Sequence, residues 1–166
     1  MQSRGYSLVE MVVCIGIISI LLAIATVSFN RYLQRYQREA QTRMIFEELL
    51  ATRANAVYQR RATRVKLYSN RFEVYSSSRD DTDGVAPMRT RSLRFPIISN
   101  NGGGDGVKGY PVTFDTFGIT NNNCAICLDE AEGSGGVDSV VIYFTRISIG
   151  KKEKGDDCKA ANVTIQ

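Results

Sequence analysis

Histidine and tryptophan are both absent from this 166-residue chain, and proline occurs only three times. Without histidine there is no Ser-His-Asp or Cys-His pair, no His-containing zinc site and no ordinary general base near neutral pH. No proline precedes Pro87, and Gly16 is the only glycine between Gly5 and Gly84. With helix breakers so scarce, a long N-terminal stretch is free to run as one helix. Charge is missing as well: from Met11 to Phe29 no residue is ionisable to a full charge at neutral pH. At about 1.5 Å per residue, that run spans about 28 Å as a helix, which is membrane length.

What is present is unevenly placed. Of the net +4, the segment Arg31 to Lys66 carries nine Lys/Arg against three Glu, a net +6, while Leu67 to Gln166 carries eleven against thirteen, a net −2. The basicity therefore follows directly on the apolar run. Beyond that run remain enough residues for one modest globular domain on a tether. Of the four cysteines, Cys14 lies within the apolar run, where a thiol packs as a small hydrophobe. Cys124, Cys127 and Cys158 lie in the polar part, where an export compartment favours a disulfide and an odd count leaves one thiol over.

A cleaved secretory signal would place small residues after the apolar core. Here Arg4 and Gly5 precede it, and after Phe29 the chain continues "NRYLQRYQREAQ" without an Ala-x-Ala-like site. The segment Arg4-Gly5-Tyr6-Ser7-Leu8-Val9-Glu10 resembles the processing site of type IV prepilins and pseudopilins, with Tyr6 where Phe or Met is more usual. The resemblance implies that a prepilin peptidase removes residues 1–5 by cutting between Gly5 and Tyr6, and methylates the new amine on Tyr6. It also implies that Glu10, whose lone carboxylate is costly in hydrocarbon, guides assembly by neutralising an N-terminal amine in a filament. A plainer reading places Glu10 at the membrane-water boundary, favoured by the helix dipole. Counting positive charges alone sets Arg4 against Arg31, Arg35 and Arg38 and would put the polar part in the cytoplasm. The processing motif implies the opposite: a single-pass inner-membrane protein with a periplasmic domain.

Past Phe29, apolar residues keep a helical rhythm at Leu33, Tyr36, Ala40 and Met44, then Phe46, Leu50, Ala54 and Val57. One helix from about Ser7 to about Arg60 is expected, its residues 6–29 in lipid and its residues 30–62 forming an amphipathic half. The pattern then changes to alternation. "RVKLYSNRFEVY" reads as a hairpin about Ser69-Asn70, and "RTRSLRF", "YPVTFDTFGI", "CAICL", "DSVVIYFTRISI" and "NVTI" read as further strands between Gly-rich polar loops. The expected fold class is α+β, a long pilin-like stem helix packed on a small, mostly antiparallel β domain over residues 63–166. "ELLATRANAVYQRRATRVKLYSNRFEVY", "VTFDTFGIT" and "VVIYFTRISI" resemble the stem end, central strand and late strand of the GspH/FimT family of minor pilins and pseudopilins.

Three groups of side chains are candidates for chemistry. Cys124-x-x-Cys127 would act as a redox pair only at a helix N-terminus, and nothing helical follows it; a structural disulfide of Cys158 with Cys124 or Cys127 is expected instead, a bond within the pair being the alternative. The acidic stretches Asp80, Asp81, Asp83 and Asp129, Glu130, Glu132 lack EF-hand spacing and read as solvated loops, so neither metal nor cofactor is expected. Arg146, Lys151, Lys152 and Lys154 are candidate phosphate contacts. Some FimT-type proteins bind DNA through Gly-Arg-x-Arg in the late strand region; here Thr145-Arg146-Ile147-Ser148 keeps the first Arg and lacks the Gly and the second Arg.

The resulting expectation is a non-enzymatic minor pilin or pseudopilin. It would be processed by prepilin peptidase, packed against other pilins in the inner membrane, and would help to initiate a type IV pilus or type II secretion pseudopilus. The alternatives are a filament-displayed DNA-binding subunit and a membrane-anchored periplasmic enzyme, the latter requiring a site absent from the sequence.

Overall fold

The computed structural model describes residues 7–100, 109–128, 136–153 and 155–166, apart from the side chain of Val27. The chain divides into two compact units, Met1–Tyr36 and Gln37–Gln166. Helix α1 runs Leu8–Gln59, 52 residues. Its first bond is donated by Met11 N–H to Ser7 C=O, and Gly16 is tolerated within it. The helix ends in two reversed bonds, Arg61 N–H to Ala56 C=O (3.1 Å) and Arg60 N–H to Val57 C=O (3.3 Å), with Arg60 at φ 49°. This is a Schellman closure in which arginine occupies the left-handed position that usually favours glycine.

In the first unit, the described side chains of α1 from Leu8 to Tyr36 are exposed, among them Leu8, Ile15, Ile18, Leu21 and Ile24. In the second, α1 buries Gln41, Thr42, Ile45, Leu49, Thr52 and Ala56 against the sheets. This differs from the stripe read from hydropathy: Ala40, Leu50, Ala54 and Val57 stay exposed. The polar members can be inside because each is satisfied. Thr42 and Thr52 hydroxyls donate to the carbonyls of Arg38 and Glu48 one turn back. Gln41 Oε1 accepts the N–H groups of Arg94 (2.9 Å) and Phe95 (3.0 Å), and its Nε2 donates to Phe95 C=O (2.7 Å).

Nine strands follow among the described residues: β1 Thr63–Leu67, β2 Arg71–Tyr75, β3 Arg89–Ser92, β4 Ile97–Ser99, β5 Tyr110–Phe114, β6 Cys124–Leu128, β7 Ser139–Ile142, β8 Ile147–Lys152 and β9 Val163–Ile165. They form two antiparallel sheets, β3-β2-β1-β5 and β4-β6-β7-β8-β9. The first hairpin has the register Val65↔Val74 and Leu67↔Phe72 about Ser69-Asn70. Those four side chains join Val112 and Phe114 of β5, Ile45 and Leu49 of α1, and Ile126, Val140 and Ile142 of the second sheet in one core. The exposed edge strand β3 is charged, its Arg89 and Arg91 reaching Glu48 of α1 at 2.8 and 3.4 Å, which blunts edge-to-edge pairing.

One expectation needs correction, and one strand was not foreseen. "DSVVIYFTRISI" is not one strand but the hairpin β7–β8: Tyr143–Arg146 reverses the chain, Tyr143 N–H donating to Arg146 C=O at 2.8 Å. The apolar run conceals the turn because its turn residues are aromatic rather than Gly, Asn or Pro. Strand β4, three residues after Pro96, is too short to show a period and exists only through its pairing with β6.

Candidate functional site

The proposed processing residues Gly5 and Tyr6 lie outside the described residues. Glu10 sits in the first turn of α1, where the helix dipole favours an anion, and its side chain is exposed. Behind it, the exposed apolar residues of α1 make one helix long and apolar enough to cross a membrane. No partner for this surface exists within the Met1–Tyr36 unit itself, where the described helix residues are exposed.

The cysteines are sorted by the pleat of β6. Side chains three apart on a strand point to opposite faces: Cys124 enters the main core with Ile126 and Leu128, and Cys127 enters a second cluster with Ala125, Val141, Cys158 and Val163. Cys127 and Cys158 form a disulfide, 5.9 Å between Cα atoms, that ties the C-terminal segment over the outer face of the second sheet. Cys124 is a free, buried thiol. Burial pushes it up to about 12, opposed only by a hydrogen bond with Ser99. In the folded full-length protein at pH 8, Cys124 is therefore expected to alkylate roughly a thousandfold more slowly than an ordinary cysteine and to label at once on denaturation, measured by mass spectrometry of the peptide.

The acidic stretch after β2 is the largest departure from the sequence reading. Asp80 is only 3% exposed rather than solvated. On β1, Val65 and Leu67 face the core, so Arg64 and Lys66 face outward, and the segment carrying the 3₁₀ turn Asp81–Asp83 covers them. Arg64 Nη1 donates to Asp80 Oδ2 at 2.7 Å, Lys66 Nζ lies 3.7 Å from Asp80 Oδ1 and bonds to Asp81, and Tyr68 Oη donates to Asp81 at 3.1 Å. Asp80 also caps the turn, accepting from the backbone N–H and hydroxyl of Thr82, while its own N–H donates to Asp83. Beside this network the buried Glu73 accepts from Tyr75 Oη (2.7 Å) and Arg71 Nε (2.9 Å). Burial pushes the Asp80 carboxyl up, yet the bonds from Thr82 and Arg64 outweigh it and hold the group well below the usual carboxylate range. The sequence carried a signal for the turn, since Asp80-x-x-Asp83 has capping-box spacing, but none for its burial over Arg64 and Lys66. Asp129, Glu130 and Glu132 lie outside the described residues, and among those described no group of three His, Cys, Asp or Glu is placed to hold a metal ion.

The candidate phosphate contacts do not form one patch. Arg146 lies in the β7–β8 turn, and Lys151 and Lys152 close the far end of β8; five residues of strand separate Arg146 from Lys151 by about 17 Å. Lys152 Nζ donates to Asp156 C=O at 3.0 Å. Lys154 lies outside the described residues. What Arg146 does adjoin is a group of exposed apolar side chains in the β5–β6 and β7–β8 turns, which hydropathy alone did not single out.

Residues 1–26 match the family model described as the prokaryotic N-terminal methylation motif. The fold is similar to that of the type IV minor pilin FimU of Pseudomonas aeruginosa strain PAO1. A crystal structure of that protein in space group P21 aligns with TM-score 0.53 and 18% identity over 71% of this chain and 91% of that one. Its P65 crystal form aligns with TM-score 0.48 and 20% identity over 67% and 90%. No curated protein is significantly similar in sequence. Long N-terminal helix and paired antiparallel sheets thus give the chain a fold like that of a type IV minor pilin, and residues 1–26 carry the N-terminal methylation motif.

Proposed function

We propose that the chain is a minor pilin or pseudopilin, a structural rather than enzymatic subunit that helps to initiate or prime a type IV pilus or type II secretion pseudopilus. The observation that carries this reading is the unpartnered apolar surface of α1 with a single carboxylate, Glu10, at its start. In the proposal, prepilin peptidase cuts between Gly5 and Tyr6 and methylates Tyr6. Residues 6–29 hold the subunit in the inner membrane with residues 63–166 in the periplasm, and residues 30–62 continue the stem. On assembly the apolar stem is buried among those of neighbouring pilins, and Glu10 neutralises an N-terminal amine. The chain would belong to the GspH/FimT branch on the segments noted above. The alternative of a DNA-binding subunit has less support, because Arg146 stands apart from Lys151 and Lys152.

The intact mass of protein extracted from membranes is expected to show loss of Met1 to Gly5 plus one methyl group; an uncleaved chain overturns the reading. An unpaired charge in apolar surroundings costs several kcal/mol, so Glu10→Gln is expected to lower the subunit's content in sheared filaments by at least about tenfold while leaving its membrane level unchanged.

A further inference from the structure

Most large apolar side chains of the Gln37–Gln166 unit are buried, but five exposed ones gather at the C-terminal end of α1. Val57, Phe117, Ile119, Tyr143 and Phe144 come from the helix end and two turns, with Phe117 78% and Phe144 53% exposed. The turns are fixed to each other and to the helix. Arg53 Nε donates to Gly118 C=O at 2.8 Å, and Thr120 N–H to Phe144 C=O at 3.0 Å. Asp115 Oδ1 accepts the N–H groups of Phe117 and Ile119. Gly118, at φ +73°, lies so close to α1 that an added Cβ would stand 2.9 Å from Val57 Cγ2. The rings are thus held out on a rigid base.

Exposed cations stand at the same end. Arg60 and Arg61 follow the last helical residues Val57, Tyr58 and Gln59, and Arg146 shares its turn with Tyr143 and Phe144. Among the described residues no carboxylate pairs with any of the three. Arg60 also keeps a left-handed backbone that glycine would adopt without cost, and such retained strain points to a use for the side chain.

We propose that this aromatic and arginine surface docks an acidic, apolar-centred face on a different protein subunit of the filament, an inference that rests on the pilin reading above. Aromatic residues with arginine, and few lysines or carboxylates, is the composition of a protein-interface core. Val57 and Ile119 give that centre an aliphatic character unsuited to stacking bases, and three arginines are sparse against a polyanion. A second copy is the wrong partner, because a two-fold contact would set the three arginines against themselves.

The test places a photo-crosslinking residue at Phe117 or Phe144 of the full chain, expressed with its own filament system, and maps the adduct by mass spectrometry. The expected adduct is with an acidic peptide of another subunit. Its yield should fall at least about fivefold in Arg61→Glu, Arg146→Glu and recover when the mapped acidic residues are changed to Lys. Arg60→Gly should raise Tm by about 2–4 °C while lowering that yield, a combination that a merely structural role would not produce. An adduct only with a second copy, lipid or nucleic acid, or a yield indifferent to charge reversal, overturns the proposal. A subunit that assembles normally yet gives no adduct overturns it and leaves the pilin reading standing. An acidic partner captured through this face outside any filament does the reverse, retaining the face and its acidic partner while removing the filament setting.

Discussion

Asp80→Asn is expected to lower the stability of the Gln37–Gln166 unit by about 3–5 kcal/mol, the usual consequence of removing one partner from a buried ion pair. The carboxylate is buried, and the substitution leaves Arg64 without its anion and Lys66, its side chain only 7% exposed, with Asp81 alone. The amide oxygen could still accept from Thr82, so the turn itself is kept and the loss isolates the charge. Thermal unfolding with and without the substitution measures it, and a change under about 1 kcal/mol would mean that the strap over the first sheet is not held by this pair. The pH dependence has a definite sign. The folded Asp80 carboxyl lies below its unfolded value of about 3.9, so its contribution is present in full well above pH 4. It is lost as the pH falls below about 4 toward the folded value. Wild type should lose stability through that window more steeply than Asp80→Asn.

Removing the disulfide should have a comparable effect by a different route. Cys127 and Cys158 are 31 residues apart, and closing a loop of that length restricts the unfolded chain by about 3.5 kcal/mol in the chain-entropy view. Cys158→Ala is expected to lower stability by about 3–4 kcal/mol and to free the segment carrying β9 first, because that strand is at the sheet edge and pairs only with β8. Hydrogen exchange would place the loss: β9 amides should accelerate most, beyond the increase that the lower global stability gives those of β1 and β2. Uniform loss across both sheets would show that the bond serves the whole fold rather than its C-terminal clasp. Cys124→Ala is a useful contrast, since it removes a buried thiol without opening any loop.

The stem was legible because its signals are local. Absence of proline and near absence of glycine through Gln59, an uncharged run of membrane length, and Glu10 at its mouth are each properties of neighbouring residues. The first hairpin was legible for the same reason, with period-two alternation on either side of Ser69-Asn70. Recognition failed where a residue's role depends on a distant one. Thr42, Thr52 and Gln41 look polar in a helix pattern, yet they are buried because hydroxyl-to-carbonyl bonds one turn back and the backbone around Phe95 satisfy them. Asp80 looks like one of three loop carboxylates until Arg64 and Lys66 are brought beneath it.

The sequence by itself determined a long N-terminal helix, its apolar half, a trailing antiparallel β domain and a methylation-type leader motif, because periodicity, breakers and charge act over a few residues. Only the tertiary structure decided that Cys127 rather than Cys124 meets Cys158, that Asp80 is buried, and that Arg146 stands with aromatic turns instead of with Lys151 and Lys152. Each of these depends on which face of a strand a side chain takes and on which segment folds over it, and contacts between residues tens of positions apart are set by sheet order and packing, which no local pattern encodes.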